Sequence, residues 1–198
     1  MPAIVRTHDL GLTWLETGGM VRSSHALVSD GKVWLIDPFE DQAALAAAAQ
    51  LGTPAAVIQL LDRHNRDCAT IAGRLGIPYL KTPASAPDTL FAVVDVISRP
   101  WWREVALWWE AERALVVAEA IGTAPFFALG RRAGVHPMLR LTPPTSQLSP
   151  FDPERLLVGH GEPIESSGKP ALRDALAHAR TDIPKLVIEL PGMLRNMR

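Results

Sequence analysis

Leu157-Val158-Gly159-His160-Gly161-Glu162-Pro163 is the stretch on which the reading of this chain turns. Leu156, Leu157 and Val158 predict a short final strand, and it runs straight into a histidine held between two glycines. Imidazole is the side chain that titrates near neutral pH and the commonest protein ligand for metals. His160 is therefore a candidate site residue; a hydrogen-bonded core histidine is the plainer alternative.

Upstream, Leu115-Val116-Val117-Ala118 predicts a buried strand over residues 114–118 that ends at Glu119. Residues 89–97 and 105–109 predict two more strands, with residues 110–113 as the turn before 114. Further back, the polar stretch Arg63-His64-Asn65-Arg66-Asp67-Cys68 follows an apolar run at 55–61, a predicted buried strand. It precedes a predicted helix over 68–75, stopped at Gly76, and a strand at 77–80. Asp30-Gly31 between two β-favouring runs, 26–29 and 32–36, predicts a hairpin. Asp41 is placed to cap a helix over 42–49, closed by Gly52 and Pro54. Residues 120–150 are proline-rich and predict loops and short helical pieces. Pro170 opens a helix, and the apolar tail 183–198 is expected to pack on the body or to serve as a homodimer contact.

The 198 residues suit one domain over 1–198, long enough for a layered core. Apolar residues make up 47%, charged residues 21%, and the formal net charge is -1. No basic stripe favours a nucleic acid, and no apolar run reaches the roughly 20 residues of a membrane span. With Cys68 as the lone cysteine and no signal-peptide pattern at the start, a cytoplasmic soluble protein is expected. There is no phosphate-binding glycine loop with its lysine and no Gly-x-Ser-x-Gly elbow.

Taken in order, four segments resemble the metallo-β-lactamase superfamily over residues 12–180: the hairpin ending at Asp37-Pro38, residues 63–68, residues 115–120, and the Gly-His-Gly element. The resemblance implies a four-layer αββα sandwich, an α/β (α+β) fold, with a metal site at one edge. Residues 63–68 fall where the family carries His-x-His-x-Asp-His. Arg63 and Asn65 replace the first two histidines, and no histidine occurs around Ser98-Arg99-Pro100-Trp101, where a third is expected. A guanidinium cannot ligate a cation, so the first metal site is expected to be lost and the motif is degenerate. At the second site the resemblance implies Asp67, Cys68 and His160 as ligands, with Glu119 as fourth ligand or base, for one zinc or iron ion. Without that implication Cys68 is a small buried residue and Asp67 an N-cap.

If no metal is held, Asp67 and Glu119 need another cation, and an arginine (Arg63, Arg66 or Arg99) is expected to replace its charge. His64, at a variable motif position, is expected to be structural or solvent-facing, and Asp37 to brace the motif loop. His8, His136 and His178 read as surface or loop residues. Arg63, His64, Asn65, Arg99 and Trp101 are expected to line the pocket, with Trp101 and Trp102 either as its apolar wall or in the core. Two functions stand side by side. One is a non-catalytic cleft for a small, possibly anionic, ligand or a partner; the other is a single-metal hydrolase of an ester, thioester, lactone or phosphodiester.

Overall fold

The computed structural model describes residues 3–64 and 66–196. Asn65 lies outside the described residues, as does the end of the tail. The first sheet grows from the predicted hairpin. Strands β3 (Ser23–Ser29) and β4 (Lys32–Ile36) pair antiparallel through Asp30 (φ 48°) and Gly31 (φ 72°). Positive φ at both central positions gives the turn the twist that a two-residue hairpin needs. Strands β1 (Ile4–His8) and β2 (Gly11–Leu15) add antiparallel on one side. On the other side β5 (Thr53–Gln59) and β6 (Tyr79–Lys81) add parallel, completing a six-stranded sheet.

Side-chain alternation gives this sheet two apolar faces. Val33, Leu35 and Val57 point to one side, where helices α1 (Gln42–Leu51) and α2 (Cys68–Leu75) cover them. Asp41 caps α1 by accepting from the Ala44 amide at 2.9 Å, and Gly76 ends α2 in the left-handed conformation. Trp34, Ile36 and Ile58 point the other way, into the core shared with the second sheet.

That second sheet has four strands in the order β12-β9-β8-β7: β7 (Ala92–Arg99), β8 (Trp102–Trp109), β9 (Ala114–Val117) and β12 (Arg155–Val158). Its first three strands are antiparallel, while β12 joins β9 in parallel. Residues 120–150 fold into short pieces, as their prolines suggested. These are the strand pair β10 (Ile121–Gly122) and β11 (Gly134–Val135), helices α3 (Pro125–Ala128) and α4 (Thr145–Leu148), and a 3₁₀ turn at Pro137–Leu139. Helix α5 (Gly168–His178) packs on β11 and β12, and α6 (Ile183–Asn196) follows it with Leu186 turned inward. The layers run α-β-β-α, the sandwich expected from the sequence. No helix among the described residues is long and apolar enough to cross a membrane.

Strand β8 begins at Trp102, not at 105, because its first residues pair with the end of β7 (Arg99 opposite Trp102). Glu104, fully buried, also bridges to Leu61 of the first sheet. The two sheets are stitched again by the bridge between Arg22 and His160.

Candidate metal centre

The parallel pairs β4/β5 and β9/β12 end at the same edge of the sandwich, and the chain leaving each strand there delivers one polar side chain. Asp37 follows β4, His64 follows β5, Glu119 follows β9 and His160 follows β12. His64 Nε2 lies 3.2 Å from Glu119 Oε1, and His160 Nε2 lies 3.6 Å from the same oxygen. Among the described residues these three form a group able to hold a metal, all ligand atoms within 4.8 Å of one another.

The hydrogen bonds on the far side of each ring decide which nitrogen carries a proton. His160 Nδ1 is 3.0 Å from the Met20 carbonyl, an acceptor only, so Nδ1 donates. His64 Nδ1 is 3.2 Å from Asp37 Oδ2. Burial works against ionisation of Asp37, but His64 and Arg66 beside it and the Leu60 amide (3.0 Å) hold its carboxyl below the usual range, so His64 Nδ1 donates too. In its neutral form each ring aims an Nε2 lone pair at the Glu119 carboxylate, and His160 Nε2 is buried with no hydrogen-bond partner among the described residues. Lone pairs and a carboxylate facing one another repel unless a proton or a cation lies among them. Tetrahedral zinc, with bonds of about 2.0–2.1 Å, sets neighbouring ligand atoms about 3.3 Å apart. The residues present fit one such ion, and the imidazoles are oriented from behind as metal-bound histidines are.

Other contacts bear on the second oxygen of Glu119. Arg63 Nη2 donates to Oε2 at 3.2 Å, with its guanidinium 3.7 Å over the Trp102 ring. His136 Nε2 lies 3.8 Å from Oε2. The His136 Nδ1 accepts from the Met138 amide, so its Nε2 carries the proton and points a donor, not a lone pair, at the carboxylate. Burial pushes the His136 pKa down to about 4, against the pull of Glu119. Burial also opposes ionisation of Glu119, but where a proton rather than a cation lies among the three groups, the hydrogen bonds and charge of His160 and His64 outweigh it and hold the carboxyl far below its ordinary range. Burial and Arg66 push His64 down; Asp37 and Glu119 more than offset them, and its pKa lies above the ordinary value.

Two glycines let His160 reach this place. A Cβ on Gly159 would sit 2.3 Å from the Ala118 carbonyl oxygen, and one on Gly161 (φ 98°) 2.3 Å from the Ala124 amide nitrogen. Only bare backbone passes that close on both sides. A Gly161→Ala variant is expected to lose about 2 kcal/mol of stability, through a strained φ and a backbone clash. Urea unfolding within about 0.5 kcal/mol of the wild type, the range of a neutral surface change, would contradict this tight passage.

The ligand set inferred from the motif divides. Glu119 and His160 are at the centre, but Asp67 and Cys68 are not. Cys68 opens α2 on its apolar face with Ile71 and Ala72; its thiol is fully buried beside the Pro38 carbonyl, and burial pushes its pKa well up. Its sulfur lies in the helix-side core, apart from the His64, Glu119 and His160 group. Asp67 occupies the N-cap position without capping α2; its Oδ2 accepts from the Glu40 amide at 2.7 Å instead. The two carboxylates of Asp67 and Glu119 therefore do not share a pocket. His64, read as structural or solvent-facing, has a side chain only 6% exposed and faces the cleft. His136, read as a surface or loop residue, is buried at the N-cap of the 3₁₀ turn.

The arginines also separate. Arg63 pairs with Glu119, as the charge-replacement idea required, though not with Asp67. Arg66 extends its guanidinium inward to the carbonyls of Ser23, Asp37 (3.1 Å) and Gly159 (2.9 Å). Arg99 reaches Thr142 and lies over Trp101. Trp101 is 52% exposed, whereas Trp102 is fully buried. The cleft above these three side chains, His64, Glu119 and His160, measures about 370 Å³ and is bounded by Glu16, Met20, Arg22, Arg63 and Arg66. Arg22 is clamped by both oxygens of Glu16, at 2.5 and 2.8 Å.

The fold has solved counterparts. DIM-1 metallo-β-lactamase superposes with a TM-score of 0.57 over 93% of this chain and 98% of its own, at 11% identity. The chain has the metallo-β-lactamase fold. VMB-1 matches with a TM-score of 0.63 over 91% of this chain and 97% of that one, at 11% identity. BLEG-1 B3 metallo-β-lactamase matches with 0.53 over 78% and 93%, at 15% identity. No family model and no curated protein matches the sequence. Within the metallo-β-lactamase fold, the edge where β4, β5, β9 and β12 end carries the His64, Glu119 and His160 group.

Proposed function

We propose that the protein is a single-metal hydrolase of a small anionic ester, thioester, lactone or phosphodiester, with one zinc or iron ion on His64, His160 and Glu119. The observation that carries this reading is the buried His160 Nε2, with no hydrogen-bond partner among the described residues, aimed with His64 Nε2 at one oxygen of Glu119. When bound, such an ion supplies Lewis acidity toward a carbonyl or phosphoryl oxygen. The chain supplies the rest. Asp37 and the Met20 carbonyl fix the two imidazoles, while Arg63 neutralises the oxygen of Glu119 that faces away from them. Arg22 and Arg63 line the cleft with positive charge suited to an anionic substrate. A second ion finds no ligands in Arg63, Asp67 or Cys68 as they are placed, so two-metal chemistry is not part of this reading.

Protein purified without chelator is expected to hold about one zinc or iron per chain by mass spectrometry of the metal content. The His64→Ala and His160→Ala variants should lose it, and Cys68→Ser should keep it. A folded wild type without metal, or a His160→Ala protein that retains it, defeats the proposal.

The Arg63–Glu119 ion pair favours a second reading, a metal-free cleft that binds a small anion without catalysis. On that reading His64 is an imidazolium donating to Glu119, the metal content is nil, and Arg22→Ala abolishes anion binding measured by calorimetry.

A further inference from the structure

Glu104 stands at the start of β8 with its whole side chain buried. Three neutral N–H groups hold its carboxylate. The amides of Glu119 and Ala120 donate to Oε1 at 2.9 and 2.8 Å, and the Trp102 indole donates to Oε2 at 3.0 Å. A carboxylate buried with only neutral donors costs more than a leucine or methionine of similar size would in the same place. Stability alone does not account for it, and two of its partners, Glu119 and the Trp102 ring beneath Arg63, belong to or border the candidate metal centre.

Those partners divide the labour around Glu119. Oxygen Oε1 faces His64 and His160, while Oε2 faces Arg63 and His136. Arg63 is stacked on Trp102 at 3.7 Å, and His136 stands edge-on to the same indole at 4.9 Å. The indole is thus the platform for both groups that engage Oε2, and Glu104 anchors that platform by its Nε1–H. The same carboxylate grips the backbone of Glu119 itself. Through its bridge with Leu61, Glu104 also ties this assembly to the segment that leads to Arg63 and His64.

The geometry points to Glu104 as a positioning residue that fixes the Glu119 side chain with Oε1 free for a cation and Oε2 engaged by Arg63 and His136. This rests on the one-metal reading. Without Glu104 the Glu119 backbone and the Trp102 ring lose their common anchor. Arg63 can then pair with either oxygen and compete with the ion.

The test is zinc affinity, measured by competition against a chromophoric chelator for the wild type, Glu104→Gln and Trp102→Phe. Glu104→Gln keeps the shape but turns an NH₂ toward donors, and its zinc Kd is expected to rise on the order of 10–100-fold, the range for losing a partner behind a metal ligand. Trp102→Phe removes one of the three bonds, and a smaller rise is expected. The visible spectrum of the Co²⁺ form should change in both, because the carboxylate's mode of ligation changes. Should Glu104→Gln fail to fold, Trp102→Phe decides. Folded variants with wild-type zinc Kd and an unchanged Co²⁺ spectrum overturn the positioning role and leave the one-metal reading standing. A wild type that binds neither zinc nor iron overturns both.

Discussion

Replacing Arg66 with methionine is expected to destabilise the protein by about 3 kcal/mol, the cost of leaving several buried acceptors without their charged donor. The guanidinium donates to the carbonyls of Ser23, Asp37 and Gly159, and to Ser24 Oγ. These acceptors come from β3, from the turn after β4 and from the Gly-His-Gly element after β12. One side chain thus joins the two sheets at the edge where the candidate centre is built. Methionine fills the space but offers no donor. For a chain of this length, about 3 kcal/mol corresponds to a fall in Tm of roughly 6–12 °C. Arg66→Lys should recover less than half of the loss, because one ammonium cannot reach acceptors arranged around a planar fork. Arg63→Met is the control. Arg63 is exposed and makes one ion pair and one stack on the Trp102 ring, so its loss should stay within about 1.5 kcal/mol, half that of Arg66. If Arg66→Met and Arg63→Met unfold at the same temperature as the wild type, the Arg66 guanidinium does not tie the two sheets together.

Arg66 also illustrates what the sequence made legible. The hairpin around Asp30-Gly31, the capped helix after Asp41 and the stop at Gly76 are local signals, fixed by positive φ and side-chain capping, and each formed where its residues placed it. The likeness of four ordered segments carried the fold, and Glu119 and His160 came together as their places at strand ends implied. The direction of side chains within residues 63–68 was a different matter. Motif register assigned positions 63, 65, 67 and 68 to the metal edge and left His64 as a structural or solvent-facing residue lining the pocket, not a ligand. In the structure, the Asp37 carboxylate captures His64 Nδ1, and that bond turns the ring toward Glu119. Cys68 did carry a readable warning. Its spacing with Ile71 and Ala72 is that of one apolar helix face, which places the thiol in the core. His136 and Glu104 had no local signal. His136 reaches Glu119 by way of the irregular segment after β11, and Glu104 by an extension of β8 that depends on pairing with β7. Both are consequences of long-range packing.

Acid should weaken the fold, and the contribution of one histidine can be isolated. His25 lies in β3, fully buried, with Nε2 donating to the Val158 carbonyl at 3.0 Å and Nδ1 accepting from the Thr13 hydroxyl at 2.8 Å. Thr13 in turn accepts from His8 Nε2. Both ring nitrogens of His25 are satisfied in the neutral form, and a second ring proton would face the hydroxyl hydrogen. Burial pushes its pKa down to about 3; His8 and Arg66 add to this, while the Val158 carbonyl and Asp37 oppose it. An unfolded histidine titrates near 6.5. Between those values the unfolded chain takes up a proton that the folded chain refuses. Stability from this group is therefore complete above pH 6.5 and is lost as the pH falls, by about 1.4 kcal/mol per pH unit. Because the unfolded imidazole is half protonated at pH 6.5, the loss from there to pH 4.5 is roughly 2 kcal/mol. His136, held down to about 4, adds a slope of the same sign, and Glu104, raised to about 7 by burial, opposes it, since its folded form keeps a proton that the unfolded chain releases above pH 4.5. A His25→Gln variant cancels these common terms. Glutamine can donate to Val158 and accept from Thr13 but does not titrate. The difference in urea-unfolding free energy between wild type and variant should thus shift in the variant's favour, by roughly 2 kcal/mol in all as the pH falls from 6.5 to 4.5. Parallel stability curves across that interval would mean that His25 takes up its proton in the folded protein as readily as in the unfolded chain, and that the buried relay from His8 to Val158 does not hold it neutral.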